Sequence, residues 1–85
     1  MYWYKLSAQN GHPLAQTNVG VMYVTGRGIK KNKVKALMWF IIASDKGDAV
    51  AEKFENHLSK QISLSEITEA QKLARECVRK KYKGC

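Results

Sequence analysis

The sequence predicts an all-α protein, a short solenoid in which about five helices form hairpins that stack side by side. The main indication is an internal register of 36 residues, a period typical of repeat proteins whose units bury their apolar faces against one another. Three matches share this spacing: Trp3-Tyr4 with Trp39-Phe40, Gly11 with Gly47, and Ala15 with Ala51. Helix start and stop residues recur between apolar residues at helical spacing. We therefore expect one domain, residues 1–85, made of a half repeat (2–10), a full repeat (12–46), a half repeat (48–61) and a terminal helix (63–83).

The first two predicted helices meet at a turn around Gly11. Pro13 stands at the first position of the second helix, where its missing N–H removes no hydrogen bond. Gly20 falls inside that helix, where glycine costs about 1 kcal/mol relative to alanine, so we expect it to let a neighbouring helix approach closely. Gly26 and Gly28 then end the helix, because glycine adopts positive φ without strain.

The third helix is predicted over residues 33–46 and is the most apolar part of the chain. Asn32 is a suitable N-cap, and every residue of the run 36–43 is apolar. A short apolar run does not by itself distinguish a buried strand from a buried helix, but the 36-residue match to segment 2–10 favours a helix. Because the run is apolar on all sides, we expect this helix to lie inside the stack.

Two more helices complete the predicted chain. Asp48 caps the fourth, whose apolar positions are expected at Ala49, Ala51, Phe54 and Leu58. Ser63 and Glu66 fit a capping box, in which each side chain accepts a hydrogen bond from the other residue's backbone N–H. The fifth helix then carries an apolar stripe at spacings of three and four: Ile67, Ala70, Leu73, Ala74, Cys77 and Val78.

Composition and charge exclude several classes of protein. The 85 residues are 45% hydrophobic with a single proline, which favours a folded chain over a disordered one. No apolar run approaches the ~20 residues that span a bilayer, and the N-terminus lacks the basic leader and apolar stretch of a signal peptide. The net charge of +8 favours acidic or anionic partners.

The pattern of residues resembles the Sel-one-like repeats, α/α relatives of the tetratricopeptide repeat. That family shows an alanine, Leu-Gly, Met-Tyr, a G-x-G turn, Lys-Ala, an aromatic pair, Ala-Ala and a closing glycine. The corresponding residues here are Ala15, Val19-Gly20, Met22-Tyr23, Gly26-Arg27-Gly28, Lys35-Ala36, Trp39-Phe40, Ala43-Ser44 and Gly47. The chain departs from the pattern at Val19, which replaces the usual leucine, and at a basic stretch, residues 31–33, which replaces a more acidic one.

The resemblance implies a right-handed α superhelix that serves as a protein-binding scaffold, often in bacterial or secretory-pathway assemblies, with residues 63–83 as its capping helix. Tetratricopeptide geometry places the first helix of each hairpin on the concave groove. By spacing, the partner-binding residues would be Thr17, Val21 and Val24 in one repeat and Lys53, His57 and Lys60 in the next. The alternative for Val21 and Val24 is packing against a neighbouring helix.

Cys77 and Cys85 are eight residues apart. In a continuous helix that spacing gives about 12 Å of rise, whereas a disulfide needs Cα atoms about 4.4–6.8 Å apart. Pairing therefore requires the chain to reverse after Lys81 or Tyr82, which Gly84 permits. A cysteine-rich branch of the same family is similar in using disulfides at this spacing, and a bridge would favour the bacterial periplasm over the cytoplasm. The alternative is a buried Cys77 and a free terminal thiol.

No catalytic or metal-binding pattern appears in the sequence. His12, His57 and the cysteines lack the spacing of zinc ligands, so we expect no metal and no cofactor, with His12 at a helix start and His57 facing solvent. The turn 26–28 is neither a P-loop nor a dinucleotide fingerprint, and no G-x-S-x-G elbow is present. We expect a protein that is not an enzyme and has no small-molecule substrate.

Two function hypotheses follow. The leading one is a non-catalytic scaffold that presents a concave helical groove to a protein or peptide partner. The alternative is electrostatic binding of an anionic partner, a nucleic acid or a membrane surface, through the basic loop 27–35 and the C-terminal helix. Its anion contacts would be Arg27, Lys30, Lys31 and Lys33. Charged runs are more commonly solvated faces, and the shared repeat phase of the aromatic residues assigns most of them to the core, so nucleic acid is disfavoured.

The number of repeats raises a further expectation. About three repeats are normally needed for a stable solenoid, so we expect either additional repeats upstream or self-association through the N-terminal edge, residues 2–6. A gene remnant without activity of its own is also compatible with the ragged start of the pattern.

Overall fold

The computed structural model describes the backbone of residues 2–85 and the side chains of residues 6–85. Five helices follow one another along the chain: α1 (Tyr2–Gln9), α2 (Pro13–Thr25), α3 (Lys33–Asp45), α4 (Ala49–Ser59) and α5 (Leu64–Arg79). The described residues contain no strand, so the predicted all-α class and the five helices are confirmed. None of the described helices combines the length and the apolar character that crossing a bilayer requires.

The helix ends lie where the sequence predicts them. Asn32 Oδ1 accepts a hydrogen bond from the backbone N–H of Lys35 at 3.0 Å, which caps α3. Asp48 Oδ1 accepts from the N–H groups of Val50 and Ala51, which caps α4. Ser63 forms both halves of a capping box at the start of α5. These caps satisfy N–H groups that have no partner within the helix, so local sequence fixes most of the boundaries.

α3 is the central helix of the molecule. It packs against α2, α4 and α5, while α1 packs against α2. Trp39 and Phe40 are completely buried, as are Ala36 and Leu37, so the prediction that this helix lies inside the stack is confirmed. The expectation that Trp3 occupies a niche like that of Trp39 concerns a side chain outside the described ones.

A buried glutamine links α1 to α2. Gln16 is fully buried, and its Nε2 donates a hydrogen bond to the backbone carbonyl of Ala8 at 3.1 Å. Ala8 lies near the end of α1 and is itself buried. A buried amide stabilises a contact when it is hydrogen-bonded and costs free energy when it is not, so this bond helps fix how α1 lies on α2.

Gly20 is a point of close approach between α2 and α3. A Cβ added there would lie 2.5 Å from Cε1 of Phe40, which is too close for any side chain. The Phe40 ring also stacks on the ring of Phe54, with centroids 5.1 Å apart and an angle of 12° between the planes. One side chain of α3 therefore contacts both α2 and α4, and the predicted role of Gly20 is confirmed.

Three residues at the predicted apolar positions of α4 and α5 are exposed. Ala49 is exposed, and Phe54 and Val78 are 38% and 49% exposed. Phe54 still stacks on Phe40, and Val78 lines a depression between α3 and α5, so α3 covers part of each side chain. Ala51 and Leu58, on the side of α4 that faces the core, are buried as expected.

The chain after α5 turns back on itself. Lys81 and Tyr82 have φ of 55° and 66°, in the left-handed region, and Gly84 has φ of 74°. This reversal brings the Cα atoms of Cys77 and Cys85 to 5.9 Å, and the two sulfurs are placed as a disulfide. The chain turns at Lys81 and Tyr82, where the spacing of the two cysteines requires a reversal if they are to pair.

Candidate functional site

The first helices of the two hairpins, α2 and α4, expose matching positions. Leu14 is 69% exposed and Val50, 36 residues later, is 52% exposed. Val21 is half-buried, and His57, again 36 residues later, is exposed. We call these four residues together with Phe54 the α2–α4 face. Apolar side chains exposed at equivalent positions of successive repeats form the kind of surface that marks a protein interaction site.

A hydrogen bond shows how α2 and α4 are placed side by side. Thr17 Oγ1 lies 3.1 Å from Oδ2 of Asp48, the residue that caps α4, and 3.1 Å from the carbonyl of Pro13. The middle of α2 therefore adjoins the start of α4. Leu14 stands three residues before Thr17, and Val50 stands two residues after Asp48, so each lies within one helical turn of this junction.

The predicted groove residues need one correction. Thr17 is 2% exposed, because its hydroxyl faces α4, so it does not line an open groove. Val24, two turns further on the same side of α2, is partly buried and packs on the core, which supports the alternative of helix packing for this residue. Val21 packs on the core in the same way, although it also lines a depression on α2, whereas His57 is exposed on α4.

The predicted groove residues Lys53 and Lys60 are both exposed on α4. They stand 36 residues after Thr17 and Val24, on the side of α4 where a further hairpin would pack. Lysines at these two positions keep that side of α4 hydrated in the described structure.

A shallow depression lies on the open side of α4. It has a volume of about 330 Å³ and is lined by Val50, Lys53, Phe54 and His57. The Phe40 stack holds the Phe54 ring in place, so the floor of the depression is fixed from below. We call these four residues the α4 patch.

The charges of α4 are divided between its two sides. Lys53, His57 and Lys60 recur at spacings of four and three, which places them on one side of the helix. Glu52 and Glu55 lie on the other side. Burial raises the pKa of Glu55, a hydrogen bond with the Ser44 side chain lowers it, and the nearby carboxylates of Asp45 and Glu52 raise it. Glu55 therefore faces the end of α3, and neither glutamate lines the depression.

The basic loop forms a separate depression. Its volume is about 360 Å³, and its lining residues are Tyr23, Ile29, Lys30, Lys31, Asn32 and Lys35. Lys35 Nζ lies 5.9 Å from the centroid of the Tyr23 ring, and burial raises the pKa of that tyrosine. Of the predicted anion contacts, the structure groups Lys30 and Lys31 here, and Arg27 instead lines a depression with Val21 on α2. Lys33 is half-buried and lines neither depression.

A further depression lies between α3 and α5 and was not predicted. It has a volume of about 450 Å³, and its lining residues are Ile41, Ile42, Asp45, Gln71, Ala74, Arg75 and Val78. The residues come from helices far apart in sequence, so no local pattern signals it. Its lining mixes apolar residues with charges of both signs, which gives it no single chemical preference.

The structure also shows a contact between three turns that the sequence does not predict. Lys46 Nζ donates a hydrogen bond to the Gly11 carbonyl at 2.6 Å and lies 4.2 Å from the centroid of the Tyr82 ring. Gly11 follows α1, Lys46 follows α3 and Tyr82 follows α5. A cation over an aromatic face is attracted by the ring quadrupole, so this cluster holds the C-terminal tail against the turn before α2 and the turn before α4.

Metal chemistry finds no support in the part of the chain that the structure describes. Among these residues, no three His, Cys, Asp or Glu side chains come together as a metal site would require. His12 stands at the N-cap of α2 and His57 is exposed on α4. What the described residues offer is a set of surfaces for contact with another molecule.

Comparison with known proteins identifies a repeat family that matches the chain. The family model of the Sel1 repeat matches residues 1–12 and 13–48, which together make up more than half of the chain. The boundary between the two matches falls at the start of α2, and the second match ends at the residue that caps α4. A search of curated proteins gave no match to the chain.

Proposed function

Because the chain belongs to the Sel1 repeat family, whose repeats generally mediate protein–protein interaction, we propose that it is a non-catalytic scaffold that binds a protein partner on the α2–α4 face. The face lies on the first helices of successive hairpins. A helical surface of this kind accommodates a partner helix or an extended peptide, with anchor residues that enter depressions between exposed side chains.

The observation that carries the proposal is the repetition of exposed apolar residues at the repeat spacing. Leu14 and Val50 are among the most exposed large apolar side chains described, and they occupy the same position in successive repeats. Burying an exposed leucine or valine fully is worth about 1.5–3 kcal/mol. A partner that covers both, together with Phe54, gains hydrophobic free energy that the isolated chain leaves unused.

The basic loop is the competing contact surface. Lys30, Lys31 and Lys35 lie in one depression there, but charged side chains in water contribute little binding free energy unless a partner removes them from solvent. We therefore assign the partner to the α2–α4 face, and the experiment compares the two surfaces directly.

The test uses a photo-crosslinking amino acid, p-benzoylphenylalanine, introduced singly at four exposed positions. Val50 and His57 report on the proposed face, Lys31 on the basic loop and Lys72 on α5. The variants are expressed in the cells that naturally produce the protein and irradiated, and adducts are identified by mass spectrometry. We expect the same protein adduct at positions 50 and 57, with no such adduct at 31 or 72. An adduct confined to position 31, or equal yields at all four positions, would contradict the proposal.

A further inference from the structure

The distribution of charge around the α4 patch defines the kind of partner that fits it. Lys53 and His57 line the depression, and Lys60 stands one turn further along the same side of α4. No carboxylate is among the residues that line it. The patch therefore combines an apolar floor, Phe54 and Val50, with a border of basic side chains.

From this arrangement we infer that the partner segment is acidic and amphipathic, with an apolar side chain seated against Phe54 and Val50 and carboxylates facing Lys53, His57 and Lys60. The inference rests on the proposed function, since it specifies the chemistry of a partner on the same face. Complementary charge raises the rate of encounter and disfavours partners of the wrong sign, while the apolar contact supplies most of the affinity.

Other occupants fit the same observations less well. A second copy of the chain carries the same net charge of +8, and like charges facing each other across an interface are costly. A duplex nucleic acid would engage the lysines through its phosphates, while its bases are stacked on one another and do not reach Phe54. An acidic polypeptide uses both the charges and the apolar floor.

The rigidity of the patch supports binding of a defined side chain. Phe54 is stacked on Phe40, which is completely buried, so one face of the ring that forms the floor is packed against the core. A preformed contact surface loses less conformational entropy on binding than a mobile one.

The experiment measures binding of synthetic helical peptides to the full chain by fluorescence anisotropy. The probe is a peptide of about 15 residues, long enough to form helix on binding, with leucines at i, i+3 and i+7 and glutamates between them. One control peptide carries glutamine in place of every glutamate, and the other carries serine in place of every leucine. At an ionic strength of about 0.15 M, we expect the probe to bind at least about ten-fold more tightly than either control.

Matched variants separate the patch from the overall charge. The double variant Lys53→Glu/Lys60→Glu and the control Lys72→Glu/Lys83→Glu change the net charge equally, and all four lysines are exposed. The first pair should weaken binding of the probe by about ten-fold or more, and the control pair by less than about two-fold. Phe54→Ser should remove the preference for leucine, and Val50→Ser serves the same purpose if Phe54→Ser fails to fold, as judged by circular dichroism.

Several outcomes would overturn the inference. If the protein binds the glutamate and glutamine peptides with equal affinity, the carboxylates do not contribute to recognition. If the two charge-reversal pairs weaken binding equally, the net charge of the chain, and not the α4 patch, accounts for the effect. Tighter binding to duplex DNA or phosphatidylserine vesicles, with no effect of Phe54→Ser, assigns the face to a polyanion. If crosslinking at positions 50 and 57 captures a partner through a segment without acidic residues, the inference fails while the proposed function stands.

Discussion

Phe40 of α3 contacts both α2 and α4. Its ring lies over Gly20 of α2, stacks on Phe54 of α4 and is completely buried. Interiors are packed as densely as organic crystals, so neither the glycine nor the ring has room to change. The position of the α4 patch therefore follows from a residue on a different helix.

The first prediction concerns Gly20→Ala. The added Cβ would lie 2.5 Å from the Phe40 ring, and overpacking of this kind costs typically 1–3 kcal/mol. Alanine favours the helix over glycine by about 1 kcal/mol, so the net effect should be a destabilisation of roughly 0–2 kcal/mol in urea unfolding. Asn18→Ala, at a half-buried position of the same helix, should stabilise the protein slightly. A Gly20→Ala variant more stable than the parent would show that the ring does not lie where the structure places it.

The second prediction concerns the pH dependence contributed by Glu55. Burial raises its pKa in the folded state, so the folded protein binds more protons at this carboxyl than the unfolded chain does. The contribution of Glu55 to stability is therefore full below the ordinary glutamate pKa and is lost as the pH rises through the folded-state value. Glu55→Gln should increase the free energy of unfolding relative to the parent at about pH 7 and leave it little changed at about pH 3.5. A gain from Glu55→Gln that is larger at the lower pH would contradict this assignment.

At the scale of helices, the boundaries were predictable because their causes are local. Asn32, Asp48 and Ser63 each cap a helix through a hydrogen bond to an N–H two or three residues away, and such signals are present in a short stretch of sequence. The buried α3 was predictable because the whole run is apolar and matches an earlier segment at the repeat spacing.

The exposed faces were less predictable because they depend on which helix lies next to which. Helical spacing gave Phe54 as an apolar position of α4, and tetratricopeptide geometry with the repeat spacing gave Thr17 as a groove residue. In the structure Thr17 is buried against the cap of α4, and Phe54 stacks on Phe40 but stays 38% exposed. The cluster of Gly11, Lys46 and Tyr82 joins three turns and has no local signature at all.

The third prediction concerns the tail after α5. A disulfide between Cys77 and Cys85 closes a loop of about nine residues, which in the chain-entropy account is worth about 2–3 kcal/mol. Cys85→Ser leaves Cys77 as a small buried apolar residue and should lower the free energy of unfolding by that amount. Dithiothreitol should bring the parent to the stability of the variant. Equal stability of parent and variant without reductant would show that the bridge does not form.

At the scale of the whole molecule, the excess of basic residues is the dominant electrostatic feature. The chain carries 15 Lys and Arg against 7 Asp and Glu, and a net charge far from zero destabilises a compact fold through self-repulsion. The α4 patch, the basic loop and the tail each hold part of this charge, so an acidic partner relieves repulsion in addition to covering apolar surface.

The fourth prediction is that salt stabilises the isolated protein. Raising the ionic strength from about 0.01 M to about 0.15 M shortens the Debye length from about 30 Å to about 8 Å. Repulsion between the lysine-rich surfaces is then screened, and the thermal midpoint should rise. The double variant Lys53→Glu/Lys60→Glu should show a smaller rise than the parent. A midpoint that falls with salt would mean that attractive ion pairs dominate.

The proposed binding face requires that α2 and α4 both pack against Phe40 of α3. Nuclear Overhauser spectroscopy on the isotopically labelled chain tests this packing most directly. We expect cross-peaks from the Phe40 ring protons both to the Hα protons of Gly20 and to the ring protons of Phe54. Cross-peaks from Phe40 confined to residues of its own helix would contradict the stacking of the two hairpins and with it the proposed binding face.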